Sequence, residues 1–143
     1  MDGVRDTAGS ETGRSRFARV LLIEDDSALR GYLAEYLDLA GYRVTQAENG
    51  LEGWRAFETE RPDLVILDLD MPVMSGFRLL RLLPGGSDTG PARVPVLVMT
   101  AYNMQQAMDV VAEARPDAYV EKPVAPAPLL AMIGDLLRDQ PAR

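Results

Sequence analysis

PDLVILDLDMPVMSG, at residues 62–76, is the stretch that decides the fold predicted for this chain. Four apolar residues, 64–67, lie between a Pro-Asp pair and a second acid, a pattern typical of a short strand buried on both faces of a sheet. Asp68 follows the last apolar residue and precedes a turn rich in proline and glycine. Open α/β sheets bind their ligands at the carboxyl ends of their strands. Asp68 is therefore the first candidate for a reacting group.

Around this stretch, five apolar runs of strand length alternate with five segments of helical period. The predicted strands are residues 17–23, 42–47, 64–67, 94–99 and 117–120. The first helix is predicted to begin at Ser27, and Asn49 is predicted to cap the second. The third begins at about Gly76, the fourth carries Met104 on its apolar face, and the fifth begins near Pro126 or Pro128. In the second helix we expect Leu51, Trp54 and Phe57 to face inward. Strict alternation of strand and helix predicts an α/β fold, with a parallel sheet covered on both faces.

Composition excludes several classes of function. The chain has 143 residues, a formal net charge of −7 and no cysteine or histidine. An acidic chain without a basic run is not expected to bind nucleic acid directly, because phosphate binding needs clustered Lys and Arg. Catalytic triads with histidine, and zinc sites built from Cys or His, are excluded.

One domain is expected at residues 17–140, after a disordered leader at residues 1–16. The protein is expected to be cytoplasmic and to have no membrane span.

Several of the predicted strands end in chemically useful side chains. Glu24 and Asp25 follow the first strand, Asp68 the third, Thr100 the fourth, and Lys122 comes soon after the fifth. Because the carboxyl ends of parallel strands share one edge, these residues are expected to meet there. Crowded carboxylates take up a proton or bind a cation, and an all-oxygen ligand set suits Mg²⁺. The site is thus predicted to hold Mg²⁺ with a phosphoryl group, which Asp68 attacks as a nucleophile.

These residues, together with Met71-Pro72, Gly76, Ala101 and Pro123, resemble the response-regulator receiver domain of two-component signalling. The resemblance runs from about residue 19 to residue 137. It implies a flavodoxin-like (βα)5 doubly wound sheet with strand order 2-1-3-4-5; a receiver is one of the known examples of that order. Arg115-Pro116 departs from the Gly-Ala usual before the fifth strand, so a different turn shape is expected there.

The resemblance also implies a role for each site residue. Asp68 is the phosphoacceptor, and Lys122 and Thr100 contact the phosphoryl group. The Mg²⁺ ligands are Asp25, assisted by Glu24, together with Asp68 and the backbone carbonyl of Asp70. The Lys122–Pro123 peptide bond is expected to be cis.

A switch is implied as well. Thr100 moves toward the phosphoryl group, the Tyr119 ring turns inward, and the surface of the fourth helix, fifth strand and fifth helix changes. The expected partners are a sensor histidine kinase or a histidine phosphotransfer protein, and a downstream protein target. A homodimer through the same surface is a further arrangement that the resemblance allows.

Other interpretations stay open at this stage. Asp25, Asp26 and Ser27 could simply cap the first helix, with Asp26 only complementing the helix dipole, and Tyr119 could be an ordinary edge-strand residue. Asp68-Leu69-Asp70 also matches the start of a haloacid-dehalogenase phosphatase, although in that family the acidic pair follows the nucleophile. A receiver-like scaffold that binds partners without phosphorylation is the third possibility. We expect no enzyme beyond self-phosphorylation and dephosphorylation, and a stand-alone receiver without an output domain.

Overall fold

The structure, a computed structural model, describes residues 18–71, 76–83, 93–101, 103, 105 and 116–139. Its strands are β1 (Arg19–Ile23), β2 (Arg43–Ala47), β3 (Leu64–Asp68), β4 (Val96–Thr100) and β5 (Ala118–Glu121). Its helices are α1 (Ser27–Leu39), α2 (Gly50–Glu60), α3 (Gly76–Leu82) and α4 (Pro126–Arg138). The fifth predicted helix is thus α4 here. The fourth predicted helix and the predicted leader fall almost wholly on residues outside the described ranges and stay predictions.

The five strands form one parallel sheet in the order β2-β1-β3-β4-β5. The predicted strand order is therefore confirmed. β1 lies between β2 and β3, and β3 lies between β1 and β4, so the strands that carry the acidic residues are central. Every residue of β3 and β4 is buried, as the continuous apolar runs predict.

Side chains of the sheet alternate between two cores. On one face, Val20 and Leu22 of β1 belong to a cluster with α1 and α4. On the other, Leu21 and Ile23 belong to a cluster with α3, against which part of α2 packs. Alternation with period two is the pattern of an extended strand covered on both sides. The two cores therefore pack against opposite faces of β1 and hold this strand in the sheet.

Helix α2 packs differently from its predicted orientation. Trp54 and Phe57 lie partly buried against the second core, as predicted, but Leu51 is 38% exposed, so its prediction as an inward residue is wrong. The residue that approaches the sheet is Gly53, where an added Cβ would lie 2.6 Å from Ile23 Cδ1. The helix comes so close to β1 because it presents a glycine there, and this turns Leu51 toward the surface.

Helix α1 is defined at both ends by backbone chemistry. Asp26 is its N-cap, and its Oδ1 accepts a hydrogen bond from the Leu29 N–H at 3.1 Å. At the other end Gly41 has φ 101°, and the Gly41 and Tyr42 amides donate to the Asp38 and Leu37 carbonyls. This is a Schellman motif, with Gly41 in the left-handed conformation just after the end of the helix. Asp26 therefore does more than complement the helix dipole.

Among the described residues, no helix combines the length and apolar character needed to cross a lipid bilayer.

Candidate functional site

The carboxyl edge of the sheet carries the candidate site. Glu24 and Asp25 directly follow β1, Asp68 is the last residue of β3, Thr100 is the last residue of β4, and Lys122 follows β5. The Lys122 amide donates to the Thr100 carbonyl at 2.8 Å, which ties the end of β5 to the end of β4. The structure thus places these predicted site residues at one edge.

Three carboxylates meet at this edge. One oxygen from each of Glu24, Asp25 and Asp68 lies within 4.8 Å of the other two. Glu24 is fully buried and Asp68 is 1% exposed, whereas Asp25 is exposed. Two acids are thus shielded from water and the third faces it. Such a cluster favours protonation or a bound cation.

Lys122 is the cation that faces this cluster in the described part of the chain. Its Nζ lies 2.9 Å from Glu24 Oε1 and 3.3 Å from Asp68 Oδ1, so one ammonium contacts both buried acids. Glu24 Oε1 has no hydrogen-bond partner among the described residues, so its contact with Lys122 is an ion pair. The Lys122–Pro123 peptide bond is cis, as the resemblance implied.

The protonation of Asp68 reflects this environment. Burial, followed by the charge of Glu24, raises the pKa of Asp68 from 3.8 to about 7, although the Lys122 ammonium acts in the opposite direction. Burial also disfavours the charged form of Lys122, but its contacts with Glu24 and Asp68 outweigh this and raise its pKa. The lysine therefore stays charged at neutral pH, while Asp68 is close to its midpoint.

The two oxygens of Asp68 differ in their contacts. Oδ1 accepts the Asp70 amide at 3.2 Å and lies beside Lys122 Nζ. Oδ2 is buried and has no hydrogen-bond partner among the described residues. An unpaired buried carboxylate oxygen is costly, and a cation or a further donor would relieve that cost. The donors here are carboxylate oxygens, which are the ligands that Mg²⁺ prefers, so the residues present fit that ion.

The other predicted site residues lie close to this cluster in the fold. Thr100 is 1% exposed at the end of β4. Asp70 is exposed, two residues after Asp68, and its amide bonds back to Asp68. Tyr119 lies in β5 opposite Val98 and packs, partly buried, against the second core, where burial raises the pKa of its hydroxyl.

The sequence interpretation missed Arg30. Its Nη1 donates to the Glu24 carbonyl at 2.8 Å, and its Nε donates to Gln46 Oε1 at 3.2 Å. A cation in the first turn of a helix opposes the helix dipole. That unfavourable placement is the one signal in the sequence that could have singled this arginine out.

Comparisons with known proteins agree with this geometry. The statistical model of the response regulator receiver domain matches residues 20–134. The chain is 36% identical over 120 residues to the response regulator MprA of Mycobacterium tuberculosis, which covers 84% of this chain and 50% of that protein. It is 37% identical to the probable transcriptional regulatory protein SilR of Salmonella typhimurium, over 84% of this chain and 51% of that protein. The chain spans about half the length of these curated relatives.

Solved structures give the same result. A CheY-like response regulator receiver domain from Methanospirillum hungatei superposes with a TM-score of 0.75 at 30% identity, over 86% of this chain and 95% of that chain. The receiver domain of a sensor histidine kinase from Pseudomonas aeruginosa superposes with a TM-score of 0.75 at 26% identity, over 85% and 98%. That structure has a magnesium ion coordinated in its active-site cleft. The chain belongs to the response regulator receiver domain family.

Proposed function

We propose that this chain is a phosphorylation-dependent signalling switch, in which Asp68 accepts a phosphoryl group. The observation that carries the proposal is the setting of Asp68: one buried oxygen has no partner in the described part of the chain, and the other lies beside Lys122. Receiver domains are signalling proteins of two-component systems. Because this chain contains no histidine, the phosphoryl group would come from the phosphohistidine of a sensor histidine kinase or a histidine phosphotransfer protein.

The proposed transfer is a displacement at phosphorus. An Asp68 carboxylate oxygen forms a bond to phosphorus while the bond from phosphorus to the histidine nitrogen breaks, and the nitrogen keeps the electron pair. The product is an aspartyl phosphate, an acyl phosphate that water can hydrolyse. Asp68 must be ionised to react, and its pKa of about 7 leaves only part of it ionised at neutral pH. A cation held by the three acids would favour the ionised form.

Receiver domains bind Mg²⁺ in their acidic site, and the donors of this chain suit the ion. We propose that the carboxylates of Asp25, Glu24 and Asp68 and the backbone carbonyl of Asp70 hold it. A bound Mg²⁺ would neutralise charge on the carboxylates and on the phosphoryl oxygens.

Lys122 and Thr100 would act on the phosphoryl group itself. The Lys122 ammonium already lies 3.3 Å from Asp68 Oδ1, from where it could turn toward a phosphoryl oxygen with a small movement. The hydroxyl of Thr100, at the end of the neighbouring strand, would donate a hydrogen bond to another phosphoryl oxygen. Both side chains would thus stabilise charge that is present only after transfer.

The output would be a change of surface. Movement of Thr100 toward the phosphoryl group would leave space for the ring of Tyr119, which lies on the adjacent strand. The surface formed by the predicted fourth helix, β5 and α4 would then bind a downstream protein target, or a second copy of the chain. The location in the cytoplasm and the domain bounds 17–140 stay predictions.

The test is exposure of the purified protein to a small acyl phosphate, with and without Mg²⁺, followed by mass spectrometry. We expect a gain of one phosphoryl mass that requires both Mg²⁺ and Asp68. Asp68→Asn should abolish the gain, and Asp135→Asn, an exposed aspartate on α4, should not. Labelling of Asp68→Asn would contradict the proposal.

Two other outcomes would favour the alternative functions. Repeated turnover of a phosphate ester would favour the phosphatase, against which the receiver family match already argues. Partner binding that is the same in wild type and Asp68→Asn under phosphorylating conditions would favour the scaffold.

A further inference from the structure

We propose that Arg30 is a positioning residue that fixes the turn between β1 and α1, and thereby sets where Asp25 meets the metal. The inference rests on the proposed function, because it assigns Arg30 to the acidic site described there. Arg30 itself contacts no acidic side chain of that site; its guanidinium donates to the main chain of Glu24.

The guanidinium joins three elements at the carboxyl edge of the sheet. Arg30 belongs to the first turn of α1, its Nη1 reaches the carbonyl of Glu24 just beyond β1, and its Nε reaches the side chain of Gln46 in β2. Two donors in a rigid plane fix direction as well as distance, which a lysine ammonium cannot do.

The result is that Glu24 is held at both of its main-chain groups. Its N–H donates to the Ala47 carbonyl at 3.0 Å, and its carbonyl accepts from Arg30 at 2.8 Å. Its carboxylate is held as well, since Oε2 accepts the Asp26 amide at 3.0 Å. The peptide plane between Glu24 and Asp25 is thereby fixed from one side by Arg30.

Asp25 depends on this restraint more than the other two acids do. Glu24 and Asp68 are buried, so the surrounding core limits their movement. Asp25 is exposed, and its side chain makes no hydrogen bond among the described residues. The direction of its carboxylate is therefore set by the main chain on either side of it, which Arg30 and the Asp26 N-cap hold in place.

Charge and position make opposite predictions, which allows a sharp test. If Arg30 acted only through its charge, replacing it with a neutral residue would make the site more negative and Mg²⁺ would bind more tightly. If Arg30 positions Asp25, the same replacement should weaken binding. Loss of a group that orients metal ligands typically weakens metal affinity about 10-fold or more.

The experiment is calorimetric titration of the protein with Mg²⁺ alone. We expect Arg30→Gln to raise the Kd about 10-fold. Arg30→Lys should bind Mg²⁺ almost as weakly as Arg30→Gln, because it keeps the charge but loses the two-point contact. Gln46→Ala should weaken Mg²⁺ binding to a smaller extent, without changing any charge. Arg43→Gln serves as the control, because it removes the same charge from an exposed residue at the other end of β2 and should leave the Kd unchanged.

Two further readouts separate positioning from general destabilisation. At saturating Mg²⁺ the rate of phosphorylation by a small acyl phosphate should return to within about 2-fold of wild type, since the lost affinity is overcome by mass action. In protein treated with EDTA, exchange of the Asp26 and Leu29 amide hydrogens should accelerate in Arg30→Gln, because the turn they stabilise is less restrained. If Arg30→Gln folds poorly, the titration of Gln46→Ala with Mg²⁺ tests the inference instead.

An unchanged or tighter Kd in Arg30→Gln, with wild type binding Mg²⁺ normally, would overturn this inference and leave the proposed function intact. A wild-type protein that bound no Mg²⁺ would overturn both.

Discussion

At the scale of single residues, the acidic site combines two buried carboxylates with one that faces solvent. Glu24 continues the pairing of β1 with β2 through its amide and points into the protein, whereas the next residue, Asp25, points outward. A run of acids in a sequence does not reveal this division, because each acid in Glu24-Asp25-Asp26 could end the strand or cap the helix. The structure gives the three residues three distinct environments, and only Asp26 caps α1.

The raised pKa of Asp68 predicts how stability depends on pH. In the unfolded chain this carboxyl ionises near its ordinary pKa of 3.8, whereas in the folded protein it ionises near 7. Folding therefore opposes ionisation, and the protein loses stability from this group as pH rises from about 4 to about 7. Above pH 7 the loss is complete, and Asp68→Asn should be more stable than wild type by a few kcal/mol, at ~1.4 kcal/mol per pKa unit.

Thermal unfolding of both proteins in EDTA, at pH 5 and pH 8, measures this effect. The advantage of Asp68→Asn should be larger at pH 8 than at pH 5. Parallel stability profiles for the two proteins would show that the Asp68 carboxyl ionises normally in the folded state.

At the scale of elements, Gly76 allows α3 to begin directly beneath the end of β3. An added Cβ would lie 2.2 Å from the Asp68 carbonyl oxygen and 2.4 Å from Leu69 Cα, both of which are main-chain atoms that cannot move independently. We expect Gly76→Ala to destabilise the protein by about 3 kcal/mol or more, because overpacking against backbone forces the strand end to shift. Gly31→Ala is the matched control: beyond the local backbone of α1, no atom lies within 4 Å of the added Cβ, so this change should stabilise α1 by about 1 kcal/mol.

Urea unfolding of the two variants and wild type tests this prediction. Equal effects of the two alanines would mean that α3 can move away from β3 at no cost.

Two aspartates join neighbouring strands at the opposite edge of the sheet, where the strands begin. Asp63 precedes β3 and accepts the Arg19 amide of β1 at 2.8 Å, while Asp117 precedes β5 and accepts the Val96 amide of β4 at 2.8 Å. Both aspartates follow a proline, at Pro62 and Pro116. The Pro-Asp pair before β5, which departs in part from the family pattern, thus repeats a contact made before β3.

This contact predicts unequal effects for two aspartates that each pair with an arginine. Asp117 pairs with Arg93 and also accepts a main-chain N–H, whereas Asp135 pairs with Arg138 on the exposed face of α4. Asp117→Ala should cost about 1–3 kcal/mol, since it leaves the Val96 amide without its acceptor. Asp135→Ala should change stability by less than about 0.5 kcal/mol. Chemical denaturation measures both, and a similar cost for the two variants would contradict the argument.

The elements also show how far the sequence leads. The strand positions and their order were predictable because buried strands are continuous apolar runs, and the resemblance supplied the order. The orientation of α2 was not predictable from its large apolar residues, because the residue nearest the sheet is Gly53, which adds nothing to hydrophobic periodicity. The role of Arg30 was not predictable for a similar reason. A polar residue on an amphipathic helix is expected to face solvent, and the sequence does not reveal that the Glu24 carbonyl lies 2.8 Å from its Nη1.

At the scale of the whole molecule, we expect the three carboxylates to make the stability of the domain depend on divalent cations. They lie at the carboxyl ends of β1 and β3, two central neighbouring strands, so repulsion among them acts against the pairing of these strands. Lys122 offsets part of this repulsion from beyond β5. A net charge of −7 adds a general attraction for cations, but salt screens that attraction, whereas a bound ion is screened much less.

We therefore expect Mg²⁺ to stabilise the folded protein beyond the effect of ionic strength. An ion that binds only the folded state at about 100 times its Kd adds about 2.7 kcal/mol. For a domain of this size that raises the Tm on the order of 10 °C. Differential scanning calorimetry in MgCl₂, against NaCl of equal ionic strength, measures the shift. Asp25→Asn should lose most of it while keeping the fold, because Asp25 is exposed and its removal leaves the core unchanged. An equal rise in both salts would mean that Mg²⁺ acts only by screening the net charge, and the acidic cluster would then not be a metal site.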